Sequence, residues 1–203
     1  MTTEAAFWDR EAEKYAASPI AKPDAYEYTL GRTRSYLKPT DRVLEIACGT
    51  GSTAIRLAPE VAEFTGTDIS PEMIRIARGK EAPDHLHFEV AGDLPETGRY
   101  DVILAHSFFH LVPDMERRFR RIYDLLPPGG HFISKTACLK GRGLKWTLIS
   151  GLVPVAQLLG KAPYFRNLSV AQLEAAVEAA GFEIVESGDF AVPARYIVAR
   201  KPA

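Results

Sequence analysis

The segment that most constrains the fold is residues 43–53, VLEIACGTGST, where a short apolar run breaks into a turn with two glycines. A buried strand that ends in a ligand-binding turn has this pattern, because glycine lets a ligand approach the main chain and adopts conformations closed to other residues. We therefore expect a strand at 42–47 and a helix that begins at 52–57. The turn between them is a candidate ligand loop.

The alternation of strand and helix continues along the chain. Further strands are predicted at 62–67, 85–90, 100–105 and 131–135, and helices at 115–126, at 170–180 and from Pro71 onward. Two helices, 3–17 and 24–37, precede the first strand, and two strands at 182–186 and 194–200 are close enough to pair antiparallel. This order predicts an α/β fold with a doubly wound, seven-stranded sheet, mainly parallel with an antiparallel last strand, and helices on both faces.

Composition narrows the classes of function. A chain of 203 residues with 46% hydrophobic residues suits a single domain over 1–203, and a formal charge of -1 gives no overall attraction to nucleic acid. Two cysteines, Cys48 and Cys138, are too few for a disulfide framework, and the histidines and acids lack metal-ligand spacing, so no metal is predicted. The first residues, MTTEAAFWDREAEKY, lack the apolar core of a signal peptide, which predicts a cytoplasmic protein.

Polar residues follow three of the predicted strands, where parallel sheets bind their ligands. Asp68 ends the second strand in GTDIS and could accept hydrogen bonds from two ribose hydroxyls. Asp93 follows the third strand in AGDL, where it could accept from an adenine amine while Leu94 covers the base. The loop after the fourth strand, AHSFFHLVPD, carries His106 and His110. Together these loops indicate one nucleoside.

The glycine loop leaves alternatives open. Gly49, Gly51 and Ala54 also fit the G-x-G-x-x-G/A spacing of dinucleotide enzymes, so an NAD-dependent oxidoreductase is a second interpretation. Glu45 opposes it, because a carboxylate would repel a pyrophosphate but attract an ammonium group, and no Tyr-x-x-x-Lys pair is present. A binding protein without turnover is the third interpretation.

Four motifs in order resemble those of class I S-adenosylmethionine-dependent methyltransferases of the small-molecule type. EIACGTG at 45–51 is similar to the first motif of that family, an acid followed by x-G-x-G-x-G, and LLPPGG at 125–130 is similar to its LxPGG turn. Asp68 and Asp93 match its ribose and adenine acids, whereas Ala47 stands where the family usually has a glycine. The resemblance, over roughly 43–134, implies a Rossmann-like fold and S-adenosyl-L-methionine as cofactor, released as S-adenosyl-L-homocysteine.

The resemblance also implies a set of site residues. The candidate cofactor-binding residues are Glu45, Ala47, Gly49, Gly51, Asp68, Ile69, Met73, Gly92, Asp93 and Leu94. Methyl transfer is a direct displacement in which a general base is optional. His106 is the preferred candidate base, and His110 is the second, although a role in ordering its turn is favoured over catalysis. Tyr15 on the first helix resembles an aromatic residue that closes over the cofactor, where a ring face would suit a sulfonium, although packing of the helix explains it as well.

The acceptor is the least determined part. Residues 1–40 are expected to cover the cofactor, and residues 137–168 are expected to cover the substrate. Within the second segment, residues 144–159 (LKWTLISGLVPVAQLL) are apolar on nearly every side and form a stretch shorter than a bilayer span. A buried cover helix is favoured, with contact to a membrane surface as the alternative. A lipophilic or amphiphilic acceptor is therefore predicted, and a phospholipid headgroup amine is a narrower candidate.

Two further features bear on partners. The fourth strand ends in A-H-S-F and lacks the D/N-P-P-Y type motif of enzymes that methylate DNA and protein glutamine, so a nucleic-acid substrate is not expected. The basic run ERRFRR at 116–121 is interpreted as a solvated helix face without function, and no obligate protein partner is evident.

Overall fold

A computed structural model of the protein describes residues 3–203, with side chains from residue 4 onward. The sheet has the strand order β3-β2-β1-β4-β5-β7-β6. Its strands are β1 Arg42–Ile46, β2 Glu63–Asp68, β3 Leu86–Val90, β4 Val102–His106, β5 His131–Ala137, β6 Glu183–Ala191 and β7 Ala194–Arg200. Strands β1 to β5 run parallel, and β7 lies antiparallel between β5 and β6. The predicted fold class is confirmed.

The helices follow the predicted order. They are α1 Thr3–Ala17, α2 Pro23–Arg34, α3 Ser52–Leu57, α4 Pro71–Arg78, α5 Met115–Leu125, α6 Leu144–Leu158 and α7 Val170–Ala179. Local chemistry sets where they begin: at α4, Pro71 occupies the first turn and the Ser70 hydroxyl accepts from the Met73 N–H. Helical spacing in α5 buries Phe119 and Ile122 on one side.

Two apolar clusters cover the faces of the sheet. One joins α5 and α7 to the sheet through Phe119, Phe132 and Val177, and the other joins α2, α3 and α4 through residues such as Leu57 and Phe64. Parallel strands buried on both faces need near-continuous apolar sequence, which is why β1 and β4 read RVLEI and VILAH.

Strand alternation decides which side chains meet at the carboxyl end of the sheet. Val43 of β1 packs in the cluster with α3, and so do Leu104 of β4 and Ile133 of β5. Side chains two residues apart share a face of a strand, so Glu45, His106 and Lys135 extend on this same side. Each lies at or near the last residue of its strand, where the ligand loops begin.

The position of α6 corrects one expectation. None of its residues is buried, and Leu144, Leu148 and Leu158 are 75%, 61% and 88% exposed, so the prediction of a buried cover helix is wrong. A segment that is apolar all round has no preferred side, and its burial depends on whether another element lies against it. Across residues 3–203, no helix has the length and apolar character needed to cross a membrane.

Candidate active site

A cavity of about 350 Å³ opens at the carboxyl ends of β1 to β4, under α1. Most of the predicted site residues meet on its wall: Tyr15, Ala47, Gly49, Asp68, Ile69, Met73, Gly92, Asp93, Leu94 and His106. Glu45, Gly51 and His110 do not line it. Part of the wall is apolar and is formed by Phe108, Leu111, Val112, Pro113 and Pro163.

The loop after β1 turns through three residues with positive φ. Ala47, Gly49 and Gly51 have φ values of 54°, 57° and 75°. Ala47 therefore has the left-handed conformation that favours glycine, at a cost of about 1–2 kcal/mol. Gly51 is required by packing, because a Cβ there would lie 2.5 Å from Cζ of Phe88. The loop thus keeps its shape with alanine at the position where the sequence departs from the motif.

Asp68 ties this loop to the next helix. Its carboxylate accepts from the N–H of Gly49 and from the N–H of Ser70, both at 2.9 Å. Burial raises the pKa of Asp68, and the two N–H donors act in the opposite direction. The carboxylate therefore both braces the loop and borders the cavity.

Glu45 lies behind the cavity wall and is only 2% exposed. Its Oε1 is 3.5 Å from Nδ1 of His106, whereas its Oε2 is buried with no hydrogen-bond partner among residues 3–203. Lys135, paired with His106 across the strands, has a pKa lowered by burial and partly restored by the charge of Glu45. A buried carboxylate oxygen without a partner is costly, and a cationic ligand group would satisfy it.

The two candidate histidines have different surroundings. His106 borders the cavity, whereas Nδ1 of His110 accepts from the N–H of Ala137 at 3.4 Å and its ring packs against Phe165 with the ring centroids 5.5 Å apart. Burial lowers the pKa of His110 to about 4, which keeps it neutral near pH 7. The carbonyl of His110 also accepts from Arg166 N at 2.7 Å. This geometry favours His110 as the residue that joins its turn to the segment 137–168.

The carboxylate of Asp93 is shared with two arginines of the basic run 116–121, which the sequence alone indicates to be a solvated face without function. Arg117 and Arg118 donate to its two oxygens at 2.8 and 2.9 Å, and Arg121 donates to the Pro95 carbonyl. Arg118 is 13% exposed, lies on the cavity wall and stacks over Phe108. These arginines hold the loop after β3 against α5, a role that a basic helix face does not reveal by itself.

Helix α1 closes one side of the cavity with Trp8 and Tyr15. The pKa of Tyr15 is raised by partial burial of its side chain and by the charges of Glu45 and Asp68. The anchor of this helix is not predicted from the sequence: Asp9 accepts from the hydroxyl of Ser70 at 2.6 Å and from Glu72 N at 3.2 Å. The one sequence feature that could have indicated this anchor is Ser70, a serine at the start of α4.

Within residues 3–203, no group of three or more histidine, cysteine or acidic side chains could hold a metal ion.

The sheet order with β7 inserted antiparallel, and the acid-lined cavity at the strand ends, define a Rossmann-like protein of the methyltransferase class. Residues 12–187 match the family described as "Methyltransferase domain", and the chain belongs to this family. Membership favours a methyl donor over NAD as the ligand of the glycine loop.

Individual relatives agree with this placement. The chain is 32% identical over 136 residues to the biotin biosynthesis bifunctional protein BioCD of Bordetella avium, which covers 64% of this chain and 29% of that protein. It is 25% identical over 182 residues to a malonyl-[acyl-carrier protein] O-methyltransferase of Serratia marcescens, and the match covers 83% of this chain and 69% of that protein. The solved structure of a DhpI–SAH complex has the same fold, with a TM-score of 0.76 and 20% identity; the match covers 98% of this chain and 96% of that chain. The chain thus spans less than a third of BioCD.

Proposed function

We propose that the protein transfers a methyl group from S-adenosylmethionine to a small lipophilic or amphiphilic acceptor by direct displacement. Family membership supports the reaction type. The observation that carries the choice of cofactor is the buried Oε2 of Glu45, which has no hydrogen-bond partner among residues 3–203 and favours a cationic amino-acid end over a pyrophosphate. The apolar wall at Phe108, Leu111 and Pro163 supports the class of acceptor.

The residues on the wall, together with Glu45 behind it, fit such a cofactor. Glu45 would attract its ammonium, directly or through water, and Asp68 would accept from its ribose hydroxyls. Ile69 and Leu94 offer apolar surface to its base. Asp93 fits the adenine amine less directly, because Arg117 and Arg118 already share its oxygens. When bound, S-adenosylmethionine supplies a methyl carbon activated by a sulfonium.

His106 is the residue we propose to move the proton. The acceptor atom bonds to the methyl carbon as the carbon–sulfur bond breaks, and the electron pair of that bond remains on sulfur. The acceptor proton passes to His106. Glu45, 3.5 Å from Nδ1, would orient this ring. Most of the rate enhancement then comes from alignment and from exclusion of water by α1.

Calorimetric titration with S-adenosylmethionine, S-adenosylhomocysteine and NAD tests the cofactor. We expect the first two to bind and NAD not to bind. Glu45→Gln and Asp68→Asn should each weaken binding by about 1–3 kcal/mol, or about 5- to 150-fold. Glu89→Gln on the exposed end of β3 is the matched control and should leave affinity unchanged. Binding of NAD alone, or unaltered affinity in both site variants, would refute the assignment.

Turnover is tested with isotopically methyl-labelled S-adenosylmethionine and two acceptor pools, the water-soluble metabolites and the extracted lipids of a lysate. Mass spectrometry should find label in a lipophilic or amphiphilic product. His106→Gln should reduce its formation by about 10²- to 10⁴-fold with unchanged cofactor affinity. Cofactor binding without label transfer in either pool would instead indicate a binding protein without turnover.

A further inference from the structure

Helix α6 leaves an apolar surface uncovered. Its exposed side chains include Leu144, Leu148, Leu152, Val155 and Leu158, each between 56% and 88% exposed. Lys145 is its single charged residue, and the ammonium of Lys145 lies 5.3 Å from the ring centre of Trp146. Exposure of this much contiguous apolar surface, on a helix that leaves none of its residues buried, marks a site of interaction.

The charges around α6 have one sign. From residue 125 to residue 173 the sequence contains no aspartate or glutamate. Of the basic residues in this stretch, Arg142 pairs with Asp189 and Arg166 with Glu116. The other cations near the helix are Lys140, Lys145 and Lys161, which are exposed and form no ion pair with any residue that the structure describes. The apolar surface is therefore flanked by uncompensated positive charge.

We infer that α6 lies on the surface of an anionic membrane, with its leucines and Val155 in the interfacial region and its flanking lysines among the headgroup phosphates. The helix is too short to span a bilayer, but Leu144, Leu148 and Leu152 recur every four residues and so form an exposed apolar stripe along one side, which suits shallow insertion. A second copy of the chain is a poorer occupant, because paired α6 helices would bring lysines together with no acids in the segment to compensate them.

The membrane contact would also orient the cavity. Gln157 near the end of α6 donates to the carbonyl of Pro163 at 2.8 Å, and Pro163 belongs to the apolar part of the cavity wall. A membrane-bound α6 therefore brings this part of the wall toward the lipid. Resting on the proposed function, this implies that the acceptor enters from the bilayer rather than from bulk water.

Vesicle sedimentation with the complete chain, without cofactor or acceptor, tests the surface independently of catalysis. We expect binding to vesicles of phosphatidylcholine with phosphatidylglycerol, and much weaker binding to phosphatidylcholine alone. Leu148→Glu/Leu152→Glu should abolish binding, whereas Val185→Glu, an apolar-to-acid change on exposed β6, should preserve it.

The lysines are tested by a second pair of variants. Neutralising Lys140, Lys145 and Lys161 with glutamine should weaken binding to the anionic vesicles about a hundredfold, at about fivefold for each charge. The matched triple substitution of Lys38, Arg99 and Arg120 should weaken it less than fivefold. Thermal denaturation followed by circular dichroism monitors the folding of each variant, and Leu152→Gln replaces Leu148→Glu/Leu152→Glu if the double variant does not fold.

Three outcomes would overturn the inference. One is absence of binding to both kinds of vesicle, and another is equal binding by Leu148→Glu/Leu152→Glu and the native chain. The third is a dimer in sedimentation equilibrium that this double substitution dissociates, which would assign α6 to contact between copies. If the chain binds S-adenosylmethionine but not vesicles, the membrane contact is refuted and the proposed methyl transfer stands. If it binds vesicles but not S-adenosylmethionine, the proposed methyl transfer is refuted and the membrane contact stands.

Discussion

Protonation of His110 should destabilise the fold in mildly acidic solution. Its ring is packed against Phe165, its Nδ1 accepts from the N–H of Ala137, and burial lowers its pKa from 6.5 to about 4. Because the pKa is lower in the folded state, the contribution of His110 to stability is present above pH 6.5 and is lost as the pH falls toward 4. At about 1.4 kcal/mol for each pH unit, the largest loss is about 3 kcal/mol, and at pH 5 it is about 2 kcal/mol.

The assay is chemical denaturation of the native chain and of His110→Asn at pH 7.5 and pH 5.0. Asparagine can still accept from Ala137 but does not titrate, so its packing loss is the same at both pH values. The free energy of unfolding of the native chain should fall by about 2 kcal/mol more than that of the variant. Equal losses would show that His110 is accessible to protons in the folded state, and the argument from burial would then be refuted.

Three other predictions concern the loop after β1 and the anchor of α1. Gly51→Ala should lower the free energy of unfolding by about 2–4 kcal/mol, because the new methyl group overlaps Phe88 and alanine is strained at this left-handed position. A loss below about 1 kcal/mol in thermal denaturation would contradict this. Ala47→Gly should change the free energy of unfolding by less than about 1 kcal/mol, since relief of strain in the folded chain and the greater freedom of the unfolded chain nearly cancel. A larger loss in thermal denaturation would show that the methyl group of Ala47 makes stabilising contacts. Asp9→Ala should raise amide hydrogen exchange throughout α1 by at least about tenfold, and unchanged exchange would mean that other contacts hold the helix.

Local sequence was sufficient for most of the fold. The apolar runs of β1 and β4, the breaker before β5 and the proline at the start of α4 each act over a few residues, and each placed its element correctly. The order of elements then limited the topology, because parallel strands need helical crossovers on both faces. The chain continues β6 to Ala191, beyond the predicted end at 186, because pairing with β7 supplies hydrogen bonds that local propensity does not reveal.

The sequence by itself determined the family motif, the acids at the strand ends and the polarity of each loop, since these depend on residue type and spacing. Only the tertiary structure decided that Glu45 lies beside His106, that Asp93 is shared with Arg117 and Arg118, and that α6 is exposed. These facts depend on which distant side chains meet across strands and helices. Residue type fixes what a group can do, whereas its charge partners and its burial are properties of the packed chain.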